Sequence, residues 1–177
     1  VYKINVYECL YNHHSLGTPK IIDYYEENDQ LIVIEEYISG SSLQEKIQNA
    51  DLSEITILDY MLDLCNILEL LHSTMPAIIH RDIKPSNIII TNYNRAILLD
   101  FNAAKYHSSS SEDTVLLGTQ GYAAPEQYGF GASSPQTDIY SLGILLKEML
   151  ASIKYESSFF DSIIYRCTQI NPTERLT

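Results

Sequence analysis

Three stretches of the chain place apolar side chains at the three- and four-residue spacing of an amphipathic helix. The longest runs from Ser53 to Ser73, and its apolar stripe is wide enough to predict a buried core helix with Ser53 as its cap. The second runs from Gln136 to Leu150 and the third from Phe159 to Gln169. The stripe of the longest helix consists of Ile57, Met61, Leu64, Leu68 and Leu71, widened by Leu58, Leu62 and Cys65.

Shorter apolar runs between polar turns predict strands. Lys20–Tyr25 and Leu31–Tyr37 flank the polar turn 26–30, and the runs 88–90 and 96–99 flank the turn 91–94. The mixed pattern of residues 1–16 predicts a helix that Pro19 ends. Helices that alternate irregularly with short antiparallel strands indicate an α+β fold.

Composition narrows the class of protein. The 177 residues carry a formal charge of −12, which disfavours nucleic acid and anionic membranes as partners. Three widely spaced cysteines, at 9, 65 and 167, indicate free thiols in a reducing compartment. No apolar run approaches the roughly 18 residues of a membrane span, and we expect a cytoplasmic protein. The chain begins with Val1 and not Met, which predicts an excised or processed piece.

Four polar residues beside the second pair of strands could carry chemistry. Asp82 could take or orient a hydroxyl proton, Lys84 could neutralise a phosphate, and Asn87 offers an oxygen to a hard cation. Asp100 follows the run 96–99, so a hairpin would bring it to the same end as Asn87, where both could hold Mg²⁺. A base, a cation and a metal site are what phosphoryl transfer requires.

These residues resemble eukaryotic-like (Hanks-type) serine/threonine protein kinases. The amino-acid sequence of the motifs is most similar to that of bacterial members. The stretch 80–87 is similar to the kinase catalytic loop, and Asp100-Phe101-Asn102 is similar to the metal-binding D-F-G. Three further motifs follow in the family's order, which makes five in all, and the last of them lies near the end of the sequence. They are Gly118-Thr119-Gln120-Gly121-Tyr122 with Ala124-Pro125-Glu126, then Asp138-Ile139-Tyr140-Ser141-Leu142-Gly143, and then Asn171-Pro172-Thr173-Glu174-Arg175.

The resemblance implies a two-lobed domain. Residues 1–37 would be part of the small lobe, with the end of its helix C region and its late strands. Residues 38–177 would be the mostly helical large lobe, truncated at its C-terminus. The expected substrates are ATP with Mg²⁺ and a protein carrying Ser or Thr hydroxyls.

The resemblance also implies roles for single residues. Asp82, Lys84, Asn87, Asp100 and Thr119 would be catalytic, and Asn87 with Asp100 would hold the metal. The Glu36 carbonyl and the Ile38 amide would bind adenine at the hinge, with Ile89, a core residue, beneath it. The Thr119 hydroxyl would contact Asp82 and Lys84.

Other residues would have structural or regulatory roles by the same resemblance. His80 would pack on Phe101 and not act as a base, and Glu126 would pair with Arg175 in the core. Arg81 would anchor a phosphorylated or acidic group of the polar loop that contains serines 108–111 and Thr114.

The chain departs from the family pattern at several positions. It contains no G-x-G-x-x-G and no V-A-I-K-like lysine, and Glu8 is the candidate for the glutamate that would pair with that lysine. Asn102 replaces the glycine of D-F-G. Glu35 stands where the gatekeeper is usually apolar, so its carboxylate would need a partner or its pKa would rise. The link between Leu150 and Phe159 is too short for the family's usual extra helix.

Two alternative functions stay open at this point. A pseudokinase or scaffold would keep the motifs for the fold alone, and the missing phosphate loop favours it. A small-molecule phosphotransferase shares an Asp, an Asn and a later Asp, but the motifs of the peptide-substrate platform around Thr119 argue against it.

Overall fold

A computed structural model of the chain describes residues 2–13, 17–107, 118–129 and 131–177. Five α-helices lie in these ranges, together with several 3₁₀ turns. The helices are α1 (Tyr2–Asn12), α2 (Leu43–Gln48), α3 (Glu54–Ser73), α4 (Pro135–Ser152) and α5 (Asp161–Cys167). The first helix therefore ends seven residues before Pro19. The predicted third amphipathic helix is shorter than expected, because a 3₁₀ turn (Ser158–Phe160) precedes α5.

The strands form three small antiparallel sheets. β1 (Ile21–Glu27) pairs with β2 (Gln30–Glu35), as the sequence predicts. The predicted hairpin is present as β5 (Ile88–Thr91) and β6 (Ala96–Leu98), with Ile88 opposite Leu98. The sequence pattern missed β3 (Gly40–Ser42), which pairs with β5, and the two-residue strands β4 (Ile78–Ile79) and β7 (Lys105–Tyr106), which pair with each other.

Serine side chains begin two of the helices. Ser42 Oγ accepts from the Glu45 amide at 3.2 Å, while Glu45 Oε2 accepts from the Ser42 amide at 3.0 Å. Ser53 and Thr56 exchange the corresponding bonds at the start of α3. Both are capping boxes, which satisfy amides that the first helical turn leaves without partners.

The core lies where α3 packs against α4 and against the β5–β6 hairpin. The predicted stripe of α3 is buried at Ile57, Leu64, Leu68 and Leu71. Its predicted widening is wrong, because Leu58, Leu62 and Cys65 are exposed. Asp63 is buried instead, where its carboxylate accepts from Arg95 at 2.5–3.0 Å.

Within the described ranges, no helix has both the length and the apolar character needed to cross a bilayer.

Candidate active site

The loop from His80 to Asn87 is fixed to α4 through one buried carboxylate. Asp138 accepts from the His80 amide at 2.9 Å and from the Arg81 amide at 2.8 Å. Its Oδ2 also lies 2.8 Å from His72 Nε2 of α3. Arg81 has a φ of +73°, a strained conformation for a residue with a side chain. These bonds offset that strain and turn the chain so that Asp82 faces away from the core.

Asp82 is the centre of a network of short hydrogen bonds. Its Oδ1 accepts from Thr119 Oγ1 at 2.7 Å, and its Oδ2 lies 2.8 Å from Lys84 Nζ. Lys84 Nζ also donates to Thr119 Oγ1 at 2.8 Å. Asn87 Nδ2 donates to Asp82 Oδ2 at 3.1 Å and to the Asp82 carbonyl at 2.9 Å. Four of the five residues predicted to be catalytic are therefore in direct contact.

The network keeps Asp82 ionised. Partial burial raises the pKa of its carboxyl, but hydrogen bonds from Lys84, Thr119 and Asn87 outweigh burial and hold that pKa below its usual range. An ionised Asp82 is acceptor-only, so it can receive the hydrogen bond of an incoming hydroxyl group. The carboxylate is thus prepared to orient such a group near neutral pH.

The hairpin brings Asn87 and Asp100 to one end, as its turn predicts. The Leu99 amide donates to the Asn87 carbonyl at 2.8 Å, so Asp100 follows directly beside Asn87. Asn87 is only 7% exposed, and both side-chain bonds to Asp82 use its Nδ2, which leaves the Oδ1 oxygen for a ligand. An amide oxygen and a carboxylate are hard donors of the kind that Mg²⁺ prefers, so the donor set fits that ion.

The replacement of glycine by Asn102 is accommodated without strain at that residue. The left-handed conformation falls on Asp100, with φ of +62°, while Asn102 lies in a 3₁₀ turn (Phe101–Ala103). Asp100 Oδ1 accepts from the Asn102 amide at 3.1 Å, which closes the turn. The left-handed backbone angle thus falls two residues before the position of the family's glycine.

His80 is a packing residue, as the sequence predicts. Its ring meets that of Phe101 edge to face at 4.8 Å, and its Nε2 lies 3.0 Å from the Leu99 carbonyl. Burial lowers the pKa of His80 despite the nearby Asp138, so the ring is neutral. The Phe101 ring, one residue after Asp100, packs against this neutral ring.

The charge of Asp100 acts on two nearby side chains, Glu35 and Tyr7. Glu35 is exposed at the end of β2, but partial desolvation of its carboxyl, followed by the charge of Asp100, raises its pKa. Tyr7 of α1 is buried, and its hydroxyl donates to Asn102 Oδ1 at 3.5 Å. Burial, with Asp100 and Glu35, also raises the pKa of Tyr7.

The role predicted for Glu8, a pair with the family's lysine, stays a prediction. The side chain of Glu8 is exposed on α1, and Tyr7 is the residue that α1 directs towards Asn102. Sequence spacing alone could not separate two adjacent helix positions, because the short and mixed pattern of α1 does not fix its rotation.

The residues predicted to bind the nucleotide lie on the segment between β2 and β3 and on β5. Glu36 and Ile38 fall between β2 and β3, outside both sheets, and the Glu36 amide donates to the Lys20 carbonyl at 2.8 Å. Ile89 is partly exposed and not a core residue as predicted, because β5 turns Ile88 and Ile90 into the core and Ile89 to the opposite face. A side chain at Gly40 would lie 2.8 Å from Ile89 Cγ2, so this glycine allows β3 to approach that face.

The predicted pair of Glu126 and Arg175 is confirmed as a buried bidentate ion pair. Arg175 Nη1 lies 2.7 Å from Glu126 Oε1, and its Nη2 lies 2.8 Å from Glu126 Oε2. Thr137 Oγ1 also donates to Glu126 Oε1, and the guanidinium stacks on Tyr140 at 5.0 Å. The pair joins the segment after Thr119 to the last described residues.

Two predictions about regulation remain open. Serines 108–111 and Thr114 lie outside the described residues. Arg81, their predicted partner, is 5% exposed.

Sequence reasoning missed two residues that shape the site. Asp138 belongs to a recognised motif, but only the structure shows that its carboxylate holds the His80 and Arg81 amides. Gln127, directly after the Ala-Pro-Glu motif, is buried, and its Nε2 donates to the Arg81 carbonyl at 2.7 Å. The only signal available for Gln127 was a polar residue at the end of a motif, which is not specific.

Comparison with known proteins agrees with this geometry. Residues 6–158 match the family described as the protein kinase domain. The chain is 37% identical over 141 residues to serine/threonine-protein kinase D of Synechocystis sp., covering 75% of this chain and 27% of that protein. It is 35% identical over 139 residues to calmodulin-binding receptor-like cytoplasmic kinase 3 of Arabidopsis thaliana, covering 74% of this chain and 27% of that protein.

A third relative is a putative leucine-rich repeat receptor-like serine/threonine-protein kinase of Arabidopsis thaliana. It is 33% identical over 150 residues, which cover 81% of this chain and 17% of that protein. The chain therefore spans about a quarter or less of the length of these relatives.

The chain belongs to the protein kinase domain family. Two of these relatives are named as serine/threonine-protein kinases, and the residues described here form part of a protein kinase domain with an α+β kinase-like fold.

Proposed function

We propose that the protein transfers the γ-phosphate of ATP to Ser or Thr hydroxyls of a protein substrate. The observation that carries this proposal is the contact of Thr119 and Lys84 with the Asp82 carboxylate, at 2.7 and 2.8 Å. In this role Asp82 orients the attacking hydroxyl and Lys84 balances the charge that develops on the transferred group. Thr119 fixes the geometry between the two.

Mg²⁺ and ATP are the proposed cofactors. Asn87 Oδ1 and the Asp100 carboxylate would hold the metal, which on binding would offset the phosphate charge. Glu36 and Ile38 would offer their backbone groups to adenine, and Ile89 would lie beneath the ring. The partial exposure of Ile89 and the position of residues 36–39 outside the sheets support this assignment.

We further propose the division of the chain into a small-lobe part, 1–37, and a large-lobe part, 38–177. In support, β1 and β2 form a sheet of their own, while β3 pairs with β5.

We also propose a protein of bacterial type that acts in the cytoplasm. The likeness to the Synechocystis kinase and the free cysteines at 9, 65 and 167 support these two points. The charge of −12 supports a protein, and not nucleic acid, as the partner.

The acceptor is tested on the full-length protein with Mg²⁺-ATP and matched peptides. Peptides that differ only in Ser, Thr or Tyr at one position should be phosphorylated at Ser and Thr and not at Tyr. Transfer only to small alcohols would indicate a small-molecule phosphotransferase. Absence of transfer, with nucleotide still bound, would indicate a pseudokinase.

Nucleotide binding has its own test. Mg²⁺-ATP at about 100 times its dissociation constant should stabilise the fold by roughly 2.7 kcal/mol. The resulting rise in Tm should be lost in Asp100→Asn, because that variant removes the carboxylate ligand of the metal. An equal rise in the variant would contradict the metal assignment.

A further inference from the structure

The side chain of Gln127 lies at the junction between the catalytic loop and the segment that carries Thr119. It is 1% exposed. Its Nε2 donates to the Arg81 carbonyl at 2.7 Å, and its Oε1 accepts from the Ala124 amide at 2.9 Å. One partner is an acceptor and the other a donor, so the orientation of the amide group is determined.

The Arg81 residue is thereby held at both ends of its backbone. Its amide donates to Asp138 Oδ1 at 2.8 Å, and its carbonyl receives the bond from Gln127. With φ of +73°, Arg81 would relax if either end were released. The Arg81 carbonyl belongs to the peptide unit that continues into Asp82, so its direction also sets the direction of Asp82.

Gln127 also packs against the residue before Thr119. A Cβ placed on Gly118, whose φ is +134°, would lie 2.9 Å from Gln127 Nε2 and 2.6 Å from the Ala123 Cβ. The Thr119 carbonyl accepts from the Tyr122 and Ala123 amides at 3.0 Å, and this turn is followed directly by Ala124. The segment from Gly118 to Gln127 thus surrounds the amide that holds the Arg81 carbonyl.

We propose that Gln127 is a positioning residue that makes the placement of Asp82 depend on the folding of the Gly118–Gln127 segment. When this segment is in place, the Gln127 amide holds the Arg81 carbonyl and Thr119 reaches Asp82. When it is displaced, both contacts are lost together. This inference deepens the proposed function and depends on it for its kinetic test.

The first test is Gln127→Met in the full-length protein, a substitution of similar volume that removes the bonds to the Arg81 carbonyl and the Ala124 amide. We expect kcat to fall about 10- to 100-fold, because a small misplacement of a reacting group has that effect. The Kd of Mg²⁺-ATP should change by less than about threefold, since the described bonds of Gln127 lie at Arg81 and Ala124 and not at Asn87 or Asp100. Gln169→Met is the matched control. Among the described residues, Gln169 Nε2 bonds within its own region, to the Tyr165 carbonyl, so kcat should stay unchanged.

Amide hydrogen exchange gives a readout that does not require activity. The Asp82 amide donates to His80 Nδ1 at 3.3 Å, and its exchange should accelerate in Gln127→Met. If the wild type transfers no phosphate, the proposed function fails, while faster exchange would still uphold the role of Gln127. Unchanged exchange at Asp82 in a folded Gln127→Met protein would overturn the inference.

If Gln127→Met does not fold, Gln127→Glu tests whether the bond from residue 127 to the Arg81 carbonyl positions Asp82. A neutral carboxyl group can donate to the Arg81 carbonyl, whereas a carboxylate cannot. The ratio of the variant's kcat to that of the wild type should therefore rise as the pH falls from 8.5 to 6. A ratio that is constant with pH would overturn the inference.

Discussion

Thr119 donates a hydrogen bond of 2.7 Å to Asp82, although 37 positions of sequence separate the two residues. The bond joins the catalytic loop to the segment before the Ala-Pro-Glu motif. Lys84 completes a triangle, because its Nζ lies 2.8 Å from both Thr119 Oγ1 and Asp82 Oδ2. A hydroxyl, a carboxylate and an ammonium group thus fix one another in a single geometry.

Removal of the Thr119 hydroxyl should impair catalysis more than binding. Thr119→Val keeps the shape of the side chain but leaves Asp82 and Lys84 without their shared partner. We expect kcat for peptide phosphorylation to fall about 10- to 100-fold, with little change in the KM for ATP. Thr119→Ser retains the hydroxyl and should keep most of the activity. Equal losses in both variants would argue against a role for the hydroxyl.

Loss of Arg175 should destabilise the domain strongly. Arg175→Met leaves Glu126 buried without its cation, which typically costs about 3–5 kcal/mol. Native-state hydrogen exchange of the buried Leu145 amide measures the free energy of opening. Lys46→Met is the control, because its partner Asp51 is exposed and such a pair contributes at most about 1 kcal/mol. Similar effects of the two substitutions would contradict this account of the buried pair.

Glu35 should make the stability of the domain depend on pH. Partial desolvation of the exposed Glu35 carboxyl, and then the charge of Asp100, raise its pKa in the folded state, so ionised Glu35 is unfavourable there. The penalty is absent below the unfolded-state pKa of about 4.3 and develops as the pH rises through the higher folded-state value. Glu35→Gln should therefore raise Tm at pH 7, and the gain should shrink as the pH falls towards 4.5.

The Asp100→Asn background separates the two causes of this effect. The gain from Glu35→Gln should be smaller there, because the charge of Asp100 is gone. The gain should not vanish, since desolvation of the carboxyl is the larger cause of the raised pKa. A gain that is constant from pH 8 to pH 4.5 would show that ionisation of Glu35 is not responsible.

Local patterns predicted much of the catalytic loop and its hairpin. The turn between β5 and β6 is short, so the neighbouring positions of Asn87 and Asp100 follow from the spacing of two apolar runs. The Ser53 cap of α3 could also be predicted from the sequence, because a capping box involves only residues three positions apart.

Contacts between distant parts of the chain could not be predicted in the same way. Apolar residues occupy several sides of α3, so the pattern did not reveal that Leu58 and Leu62 are exposed. The burial of Asp63 depends on Arg95, 32 positions later. Likewise, Tyr7 reaches Asn102 across 95 positions, and no local pattern connects these two residues.

The most direct test of the proposed kinase activity is single-turnover phosphate transfer by the full-length protein and its Asp82→Asn variant. The variant keeps the shape of the side chain but removes the charge that Lys84 and Thr119 hold in place. Loss of a general base typically slows transfer about 10²- to 10⁴-fold, and the affinity for Mg²⁺-ATP should be retained. Transfer to a Ser or Thr peptide at an unchanged rate in Asp82→Asn would contradict the proposed role of Asp82 and the mechanism built on it.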